Sequence, residues 1–543
     1  MDFTMSTSLK TLFNTINASN LKGDVFGGLT AAVIALPLAL AFGVSSGAGA
    51  IAGVYGAIFV GFFAALFGGT PTQVSGPTGP MTIVMAIILT KMVAMDPQNG
   101  VALAFAAVVI AGLIQIVFGL LGLGKYFVMV PYAVISGFMT GIGVIIILLQ
   151  FAPFLGVASY SSVIESALHI RDVFLNLNPA AAATGIITLS IMIFWPKSFA
   201  RYIPSPLFAL IITTLVVTLC LSDGIMPIIG HIPSGFPKIV IPHLSFKMLD
   251  DVFYYAFLLA TLGSIDSLLT SMVADTMTDV QHKSNKELIG QGIGNSIAGL
   301  FGALPGAGAT MRTAINIRAG GQTAISGIVH SLALLIIILW AGKYAQYVPH
   351  AVLAGMLMKV GIDIIDWQFL SRFRQIPFFS LALMLLVFIL TVFVDLITAV
   401  VVGMFIANIV TLDRLSSIQL DNIVFIKADD LMTKSSKKLQ QTLVFEIDGP
   451  ISFAVSRQLS QRFSETHHFN TLVIDLAKAH LIGCTTAVLI IDLIENSLEK
   501  NKEVLIVLGN EKINHALKKL NLDKILPQKQ HFSSREQALN TLV

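Results

Sequence analysis

The stretch GKYFVMVPYAVISGFMTGIG, residues 124–143, returns later in the chain as GKYAQYVPHAVLAGMLMKVG, residues 342–361. Nine residues (Gly, Lys, Tyr, Val, Pro, Ala, Val, Gly and Gly) recur in register, at an offset of 343 − 125 = 218. Chance similarity between two glycine-rich apolar stretches is the alternative interpretation. It is disfavoured because the shared residues include Lys, Tyr and Pro as well as apolar ones. The repeat therefore predicts a chain built from two related halves.

The composition places most of the chain in a membrane. Mean hydropathy is +0.83, and only 12% of the residues are charged, whereas soluble chains carry roughly 25%. Apolar runs recur from about Phe26 to about Leu412. Since a helix needs about 20 apolar residues to span a bilayer, these runs predict roughly fourteen spans, several of them short or broken by Gly and Pro.

Basic residues predict the orientation of the spans. With the N-terminus in the cytoplasm, nearly all Lys and Arg residues fall on the cytoplasmic side, as the positive-inside bias requires. Seven predicted spans separate the two copies of the repeat, so the copies have opposite orientations, with Lys125 inside and Lys343 outside. Inverted repeats of this kind are typical of secondary transporters. The other residues predicted on the cytoplasmic side are Lys10, Lys22, Lys197, Arg201, Lys283, Lys286, Arg318, Arg372, Arg374 and Arg414.

Four regions are predicted along the chain. Residues 1–25 form a cytoplasmic N-terminal segment without the pattern of a cleaved signal peptide, and residues 26–415 form the transmembrane domain. Residues 416–436 are a polar linker. Residues 437–543 alternate strand-like and helix-like stretches, which predicts a small cytoplasmic α/β domain. Both termini are therefore expected in the cytoplasm.

Several classes of function are disfavoured. The net charge of +3 and the lack of a basic, aromatic-interleaved patch argue against nucleic-acid binding. The two cysteines, Cys220 and Cys484, have no CxxC spacing, which argues against a disulfide framework or a thiolate metal site. We find no His/Asp/Ser constellation, phosphate loop or metal-ligand spacing to support an enzyme. His330, within a span, is expected to serve packing.

An acidic residue interrupts one apolar run, FYYAFLLATLGSIDSLLTSMVA, residues 253–274. A carboxylate at mid-bilayer costs about 2.5–3.5 kcal/mol on insertion scales, so Asp266 predicts a functional site. Thr270 follows at i,i+4 spacing on the same helix face. Together with nearby hydroxyls and carbonyls, the two residues form a site suited to Na⁺ or H⁺. The alternative is that Asp266 pairs with an internal arginine or caps a neighbouring helix.

Two further spans contain residues that break a helix. In FGGTPTQVSGPTGPMTIVMAII (67–88), Thr78 suits an N-cap and Pro80 a first helical turn. In FGALPGAGATMRTAINIRAGG (301–321), helix can restart near Ala309–Thr310. Because each helix N-terminus carries unpaired N–H groups and a partial positive charge, two facing N-termini predict an anion site. The carbonyls of Gly308 and Thr310 are free to face the cation at Asp266, and Arg312 is close enough in sequence to line the same cavity, or else forms a structural salt bridge.

At these motifs the chain resembles the SulP family of anion transporters, specifically its branch of cyanobacterial sodium-dependent bicarbonate transporters. The resemblance is carried by GGTPTQVSGPTGPMT, GSIDSLLTSMVADTMT, IGQGIGNSIAGLFGALPGAGATMRT and IPSGFPKI. It covers nearly the whole chain and implies an α-helical polytopic membrane protein. The implied fold is a fourteen-helix, seven-plus-seven inverted repeat with core and gate domains, followed by a cytoplasmic α/β STAS-like domain. Dimers are usual in the family, and a cytoplasmic regulator acting through the STAS-like domain is a further implied partner.

The resemblance also implies the site residues. The substrate anion is expected between the N-termini of spans three and ten, and Na⁺, the coupling ion, beside span eight. The implied substrate-binding residues are Thr78, Gly79, Ala309, Thr310 and Arg312. The implied Na⁺ ligands are Asp266, Thr270, Gly308 and Thr310.

Three departures from the family pattern refine the expectation. The first span has Leu38 and Phe42 where many sulfate-type members carry a different motif, and Asp266 stands where many carry Glu; both favour bicarbonate over sulfate. In the STAS-like domain, Gly483 and Cys484 replace the usual Asp-Ser turn, which disfavours a phospho-switch. We therefore predict a Na⁺/HCO₃⁻ symporter of the bacterial inner membrane that works by alternating access. The alternatives are a proton-coupled sulfate or dicarboxylate transporter and a channel-like anion protein of the same fold.

Overall fold

The structure is a computed structural model of the chain, and it forms two compact units, residues 1–404 and 405–543. Several predictions fall outside the described residues: most of the N-terminal segment with Lys10, the basic residues Lys197 and Arg201, most of the IPSGFPKI motif, and most of a helix-like stretch at 454–463. The described residues are 20–127, 130–160, 162–196, 199, 203–220, 224–230, 237, 239–240, 248–421, 423–431, 436–451, 459, 461, 463 and 469–543.

The first unit is helical, because its apolar runs satisfy their backbone hydrogen bonds within each segment, as a span in lipid must. We number its spans α1 to α14, and α14 continues into the second unit. The spans are Leu21–Ser45 (α1), Ala50–Phe67 (α2), Gly79–Met95 (α3), Gly100–Leu120 (α4), Tyr132–Phe154 (α5), Pro179–Phe194 (α6), Ser205–Cys220 (α7), Leu249–Thr278 (α8), Ser284–Leu300 (α9), Thr310–Arg318 (α10), Ala324–Ala341 (α11), His350–Ile364 (α12), Phe378–Phe393 (α13) and Leu396–Asp421 (α14). Short helices lie between them at Gly124–Phe127, Val163–Leu168, Ile170–Leu175, Gly342–Tyr347 and Trp367–Ser371.

These helices differ in length and apolarity. Among the described residues, seven are long and apolar enough to cross a membrane, namely α1, α2, α4, α5, α8, α11 and α14. Four more, α3, α6, α7 and α13, are shorter apolar helices. The remaining three, α9, α10 and α12, have 17, 9 and 15 residues and belong to neither group. Among the described residues, these fourteen helices match the roughly fourteen spans predicted from the sequence.

The two copies of the repeat occupy equivalent places, which confirms the two-half architecture. Pro131 precedes α5 and Pro349 precedes α12, each as the extended N-cap residue. The two helices then meet at equivalent glycines. A Cβ on Gly143 would lie 2.6 Å from the carbonyl oxygen of Gly361, and a Cβ on Gly361 would lie 2.8 Å from that of Gly143. A pseudo-twofold axis between the halves produces this reciprocal contact.

Helix packing separates a core group from a gate group. In the core, α4 packs along α9, α2 along α9 and α11, and α1 along α11. In the gate, α5 packs along α12 and α13, and α6 along α7 and α12. The core therefore comprises α1–α4 and α8–α11, and the gate comprises α5–α7 and α12–α14, as the inverted repeat predicts.

The second unit is an α/β fold whose sheet is buried on both faces. Five strands run in the order β3-β4-β6-β8-β9, with β3 antiparallel and the others parallel, and β5 pairs with β7. Apolar side chains of the strands, such as Phe445 and Val444, alternate between two core clusters. The elements are β3 (Ile423–Lys427), β4 (Thr442–Ile447), β5 (Gly449–Ile451), β6 (Thr471–Asp475), β7 (Ala479–Ile482), α15 (Cys484–Glu499), β8 (Glu503–Val507), α16 (Glu511–Lys519), β9 (His531–Phe532) and α17 (Arg535–Asn540), with short helices at Ala428–Leu431, Lys437–Gln440, Leu522–Ile525 and Gln528–Gln530.

The structure moves one predicted boundary. The sequence places a linker at 416–436 and the start of the α/β domain at 437. Instead, α14 extends to Asp421, and the following strand β3 pairs with β4 from Ile423 to Lys427. The α/β unit therefore gains its edge strand from within the predicted linker, because pairing with β4 satisfies backbone groups that a polar connector would leave to water.

Candidate ion-binding site

The two interrupted segments meet in the core as a short antiparallel pair of strands. Ser75 and Gly76 (β1) pair with Gly308 and Ala307 (β2), and the N–H of Ala309 donates to the carbonyl of Val74 at 2.9 Å. The helix-breaking residues predicted in each half thus form one two-stranded sheet, which lies between the starts of α3 and α10. Antiparallel pairing is the arrangement that two inverted segments require.

Helices α3 and α10 begin directly after these two strands. Thr78 is the extended N-cap of α3, and Pro80 lies in its first turn, as predicted. Ala309 is the extended N-cap of α10. No side-chain hydrogen bond caps either helix. The first N–H groups of both helices therefore keep the partial positive charge that an uncapped N-terminus carries.

The hydroxyl of Thr78 bonds to another helix. Thr78 Oγ1 donates to Asp266 Oδ2 at 2.8 Å, across 188 residues of sequence. Asp266 lies on α8, and 9% of it is exposed. Among the described residues, Asp266 forms no ion pair. The alternatives in which it pairs with an arginine or caps a helix are therefore not what the structure shows.

Thr270, one helical turn after Asp266, faces the start of α10. Its hydroxyl donates to the Gly308 carbonyl at 2.9 Å and lies 2.7 Å from Thr310 Oγ1. Since a hydroxyl has one proton, Thr310 is the donor in the second bond. Ser267 joins the cluster, because its Oγ accepts the N–H of Gly308 at 3.1 Å. Of the four residues predicted as Na⁺ ligands, Thr270, Gly308 and Thr310 thus bring hydroxyl and carbonyl oxygens together, and the carboxylate of Asp266 lies one helical turn earlier on α8.

Arg312 is buried and ties the two segments together. It is 2% exposed, and its Nη2 donates to the carbonyl of Pro77, the residue before the N-cap of α3. Its Nη1 has no hydrogen-bond partner among the described residues. A Cβ on Gly76 would lie 2.7 Å from that nitrogen, and Gly76 has a φ of 153°. Both the guanidinium and the backbone angle therefore require glycine at position 76.

Two isoleucines of the gate cover the start of α3. A Cβ on Gly79 would lie 2.9 Å from Ile146 Cδ1 and 2.9 Å from Ile364 Cδ1. These two residues are equivalent in the repeat, since 364 − 146 = 218. Gly79, one of the predicted substrate-binding residues, is therefore covered on the gate side by these two symmetry-related isoleucines.

Sequence reasoning missed a second polar network next to the site. The carboxylate of Glu287 on α9 accepts N–H groups from Gly69 at 2.8 Å and Thr70 at 2.9 Å. It also accepts the amides of Gln73 and Gln291, both at 2.8 Å. The signal is present in the sequence, because Glu287, Gln291 and Asn295 follow one another at four-residue spacing on α9, which places polar groups along one helix face.

A chain of three side chains connects the end of α8 to the start of α9. Asp275 Oδ2 lies 2.6 Å from His282 Nδ1, and His282 Nε2 lies 2.9 Å from Ser284 Oγ. The N–H of His282 also donates to Asp275 Oδ1 at 2.9 Å. These bonds close the turn between the end of α8 and the start of α9.

A cleft separates the core from the gate. Its volume is about 610 Å³, and it lies between α1 and α10 on one side and α6, α7 and α12 on the other. Met311, in the first turn of α10, lines it together with Leu38 of α1. The cleft therefore provides a route to the start of α10. Its lining is completed by Phe26, Leu29, Thr30, Val33, Ile34, Met192, Pro204, Ser205, Pro206, Ile315, Arg318, Lys359, Val360 and Asp363.

Comparison with known families gives two matches that divide the chain as the fold does. Residues 21–391 match the model described as the sulfate permease family. Residues 433–538 match the STAS domain. The first match covers most of the membrane unit, and the second covers most of the α/β unit.

Individual relatives are transporters. The chain is 45% identical over 539 residues to the bicarbonate transporter BicA of Synechocystis sp., covering 98% of this chain and 96% of that one. It is 31% identical to the putative sulfate transporter YvdB of Bacillus subtilis, covering 92% and 93%. Among solved structures, the transmembrane domain of a cyanobacterial bicarbonate transporter BicA matches with a TM-score of 0.67 and 51% identity, covering 72% of this chain and 99% of that one. Murine Slc26a9 shares the fold, with a TM-score of 0.82 at 19% identity, covering 97% and 92%.

Proposed function

Because the chain belongs to the sulfate permease (SulP) family, we propose that it imports bicarbonate together with sodium by alternating access. The observation that carries the proposal is the environment of Asp266. Within the described residues its carboxylate accepts one hydrogen bond, and it lies between the N-cap of α3 and the hydroxyl cluster at the start of α10. The 45% identity to a bicarbonate transporter over nearly the full length supports the choice of anion.

Sodium is proposed as the coupling ion because the oxygens at the site fit it. An ionised carboxylate has about four lone-pair sites, so Asp266 keeps acceptor capacity beyond its bond from Thr78. Thr270, Thr310 and the carbonyl of Gly308 supply neutral oxygens close by. A monovalent cation that binds this set cancels the charge of Asp266 without a fixed arginine or lysine partner.

The anion is proposed at the uncapped starts of α3 and α10. Gly79 and Ala309 add little side-chain bulk there, and the backbone around Thr78 and Thr310 offers N–H groups, whereas the N–H of Ala309 itself donates to Val74. Arg312 stabilises the start of α3 through Pro77 and adds positive charge nearby.

Coupling follows from the electrostatics of this arrangement. Without the cation, the carboxylate of Asp266 repels an anion at the helix starts. Two unit charges about 5 Å apart interact by roughly 3 kcal/mol at an effective dielectric near 20. Bound Na⁺ removes that repulsion, so each ion raises the affinity of the site for the other. The core then carries both ions past the gate.

The proposal extends to the surroundings of the protein. We place it in the bacterial inner membrane with both termini in the cytoplasm, in accordance with the positive-inside bias. We also propose that it forms a homodimer and that the STAS domain receives a cytoplasmic regulator. Cys220 and Cys484 are both exposed. Chemical crosslinking tests the proposed homodimer, and cysteine accessibility tests the proposed orientation.

Reconstitution in liposomes tests the transport proposal. Uptake of labelled bicarbonate is measured with an inward sodium gradient, with sodium equal on both sides, and with a proton gradient alone. We expect accumulation only with the sodium gradient. Accumulation driven by protons, or competition by excess sulfate or a dicarboxylate, would favour the proton-coupled alternative. Anion movement without stoichiometric sodium movement would favour a channel.

A further inference from the structure

The cleft between core and gate carries charge at its polar end. The stripe Met311, Ile315 and Arg318 runs the length of α10 along the cleft. Lys359 and Asp363 of α12 face the same cleft from the gate. Among the described lining residues there are thus two cations and one anion, an excess of positive charge that attracts an anion.

Lys359 and Asp363 form a close ion pair inside this cleft. Lys359 Nζ lies 2.5 Å from Oδ1 and 2.6 Å from Oδ2 of Asp363, so it contacts both carboxylate oxygens. The two side chains are 21% and 34% exposed, which leaves the pair accessible from the cleft. A bicarbonate ion presents the same planar O–C–O group as a carboxylate. The arrangement in which Lys359 Nζ contacts both oxygens of the Asp363 carboxylate therefore also suits a bicarbonate ion.

The internal repeat shows that the fold does not require this lysine. The position equivalent to Lys359 is Gly141, since 359 − 218 = 141. A Cβ on Gly141 would lie 2.6 Å from Thr391, so the first half uses this position for close helix packing. The second half instead directs a cation into the cleft that leads to α10.

We propose that Lys359 is a second anion-binding position, which the substrate occupies between the helix starts and the open end of the cleft. Asp363 is a resident carboxylate that the bicarbonate ion displaces from Lys359. Arg318, at the end of α10, is the next cation along the same route. This inference rests on the proposed function, because it assigns the transported anion a path through the cleft.

Two substitutions with opposite expected effects test it. Proteoliposomes of known protein orientation are used to measure the half-saturating bicarbonate concentration from the face that opens into the cleft. Asp363→Asn removes the competing carboxylate and is expected to lower that concentration by about twofold to threefold, the order of an i,i+4 ion pair. Lys359→Gln removes the cation and is expected to raise it by about fivefold, with Lys359→Arg between Lys359→Gln and the unmodified protein.

A purely structural ion pair predicts a different result. In that case both substitutions break the same pair, so both shift the half-saturating concentration in the same direction, and that outcome overturns the inference. Lys343→Gln is the matched control: it removes one cation just before α12, where Lys343 stacks on Tyr344 outside the cleft. We expect no change from it.

The measurement separates this inference from the proposed function. The proposed function fails if the unmodified protein carries a different anion, or if its bicarbonate uptake does not depend on sodium. The half-saturating concentration of the anion that it does carry is then measured in Asp363→Asn and Lys359→Gln, with the same opposite shifts expected. If sodium-coupled bicarbonate uptake is present but Asp363→Asn and Lys359→Gln leave half-saturation at the cleft face unchanged, the inference alone fails. A protein that transports no anion overturns both.

Discussion

Asp266 and Glu287 are both buried carboxylates of the membrane core, on the neighbouring helices α8 and α9, yet their surroundings differ sharply. Glu287 accepts four hydrogen bonds, two from backbone N–H groups and two from side-chain amides. Among the described residues, Asp266 accepts one. Glu287 therefore has its acceptor capacity filled by the protein, whereas Asp266 retains most of its own.

The difference separates a structural acid from one that is available to a ligand. A buried charge is costly unless hydrogen bonds or a counter-charge compensate it. Glu287 is compensated by fixed dipoles, and Asp24 in α1 likewise accepts three bonds from Gln322 and Thr323 at the start of α11. Asp266 has one such hydrogen bond and the guanidinium of Arg312 at longer range, so its carboxylate keeps acceptor capacity for an additional cation.

Glu446 of the α/β unit shows a third solution. Arg535 Nη2 lies 2.6 Å and Lys478 Nζ 2.9 Å from its Oε1. Burial alone would raise the pKa of Glu446, but the hydrogen bonds from Arg535 and Lys478 outweigh it and hold the pKa below the ordinary value of 4.5. Here the protein supplies permanent cations, which is the role that we propose for a transported ion at Asp266.

Replacing Asp266 is expected to have the largest effect. In Asp266→Asn the negative charge that binds the cation is gone, so sodium-driven bicarbonate uptake should fall by about 100-fold or more, the order of 3 kcal/mol. Melting temperature should change little, because the residue has one hydrogen bond to lose. Uptake into liposomes and thermal unfolding in detergent are measured on the same preparations. Retained sodium dependence would show that Asp266 does not hold the coupling ion.

Glu287→Gln should produce the reverse pattern. The neutral amide cannot accept all four donors, and hydrogen bonds to charged groups contribute about 1.5–3 kcal/mol each, so we expect a loss of about 3 kcal/mol in the free energy of unfolding. Protein that remains folded should keep its half-saturating sodium concentration. Thermal unfolding and sodium titration of uptake check the two halves of this prediction. A shifted sodium titration with normal stability would contradict the distinction between the two acids.

Thr270→Val should weaken the cation site without removing its charge. The substitution deletes the hydroxyl that bridges Gly308 and Thr310, and the loss of one neutral oxygen is expected to raise the half-saturating sodium concentration by about tenfold, or about 1.4 kcal/mol. Thr276→Val, on the exposed end of α8, is the matched control, because within the described part of the chain its hydroxyl bonds only to Val273 of its own helix. Equal effects of the two substitutions would remove Thr270 from the site.

The smallest effect is expected at Glu446 and concerns pH. Because its pKa in the folded state is lowered, its stabilising contribution is fully present above pH 4.5 and is lost as the pH falls through the lowered folded value. Relative to the intrinsic exchange rate at each pH, amide exchange of β4 and β6 in the full chain should accelerate as the pH falls below 4.5. Glu446→Gln should reduce that acceleration, and Glu495→Gln, at an exposed site on α15, should leave it intact. An unaltered pH response in Glu446→Gln would contradict the assignment.

The sequence predicted the parts of the site that depend on local rules. Thr78 and Pro80 mark the start of α3 because capping and proline preferences act within one turn. Asp266 and Thr270 share a face because four residues make about one turn. The predicted pair of broken spans is likewise confirmed, since glycine and proline interrupt helices wherever they cluster.

The missed parts depend on partners far away in the chain. The bond from Thr78 to Asp266 joins helices that the sequence cannot place side by side. Glu287 was not singled out from the sequence, because its burial depends on the N–H groups of Gly69 and Thr70, more than 200 residues earlier in the chain. Strand β3 was read as part of a linker, because its assignment rests on pairing with β4 rather than on its own five residues.

The pairing of Ser75 with Gly308 also bears on how the molecule is made. As the polypeptide leaves the ribosome, the residues of the early half enter the bilayer long before their partners have been synthesised. During that interval the glycine-rich turn that precedes α3 has neither its companion strand nor the guanidinium of Arg312. The peptide groups of β1 therefore remain unpaired until β2 has been synthesised, so a product truncated before β2 would keep unsatisfied hydrogen-bonding groups within the membrane domain.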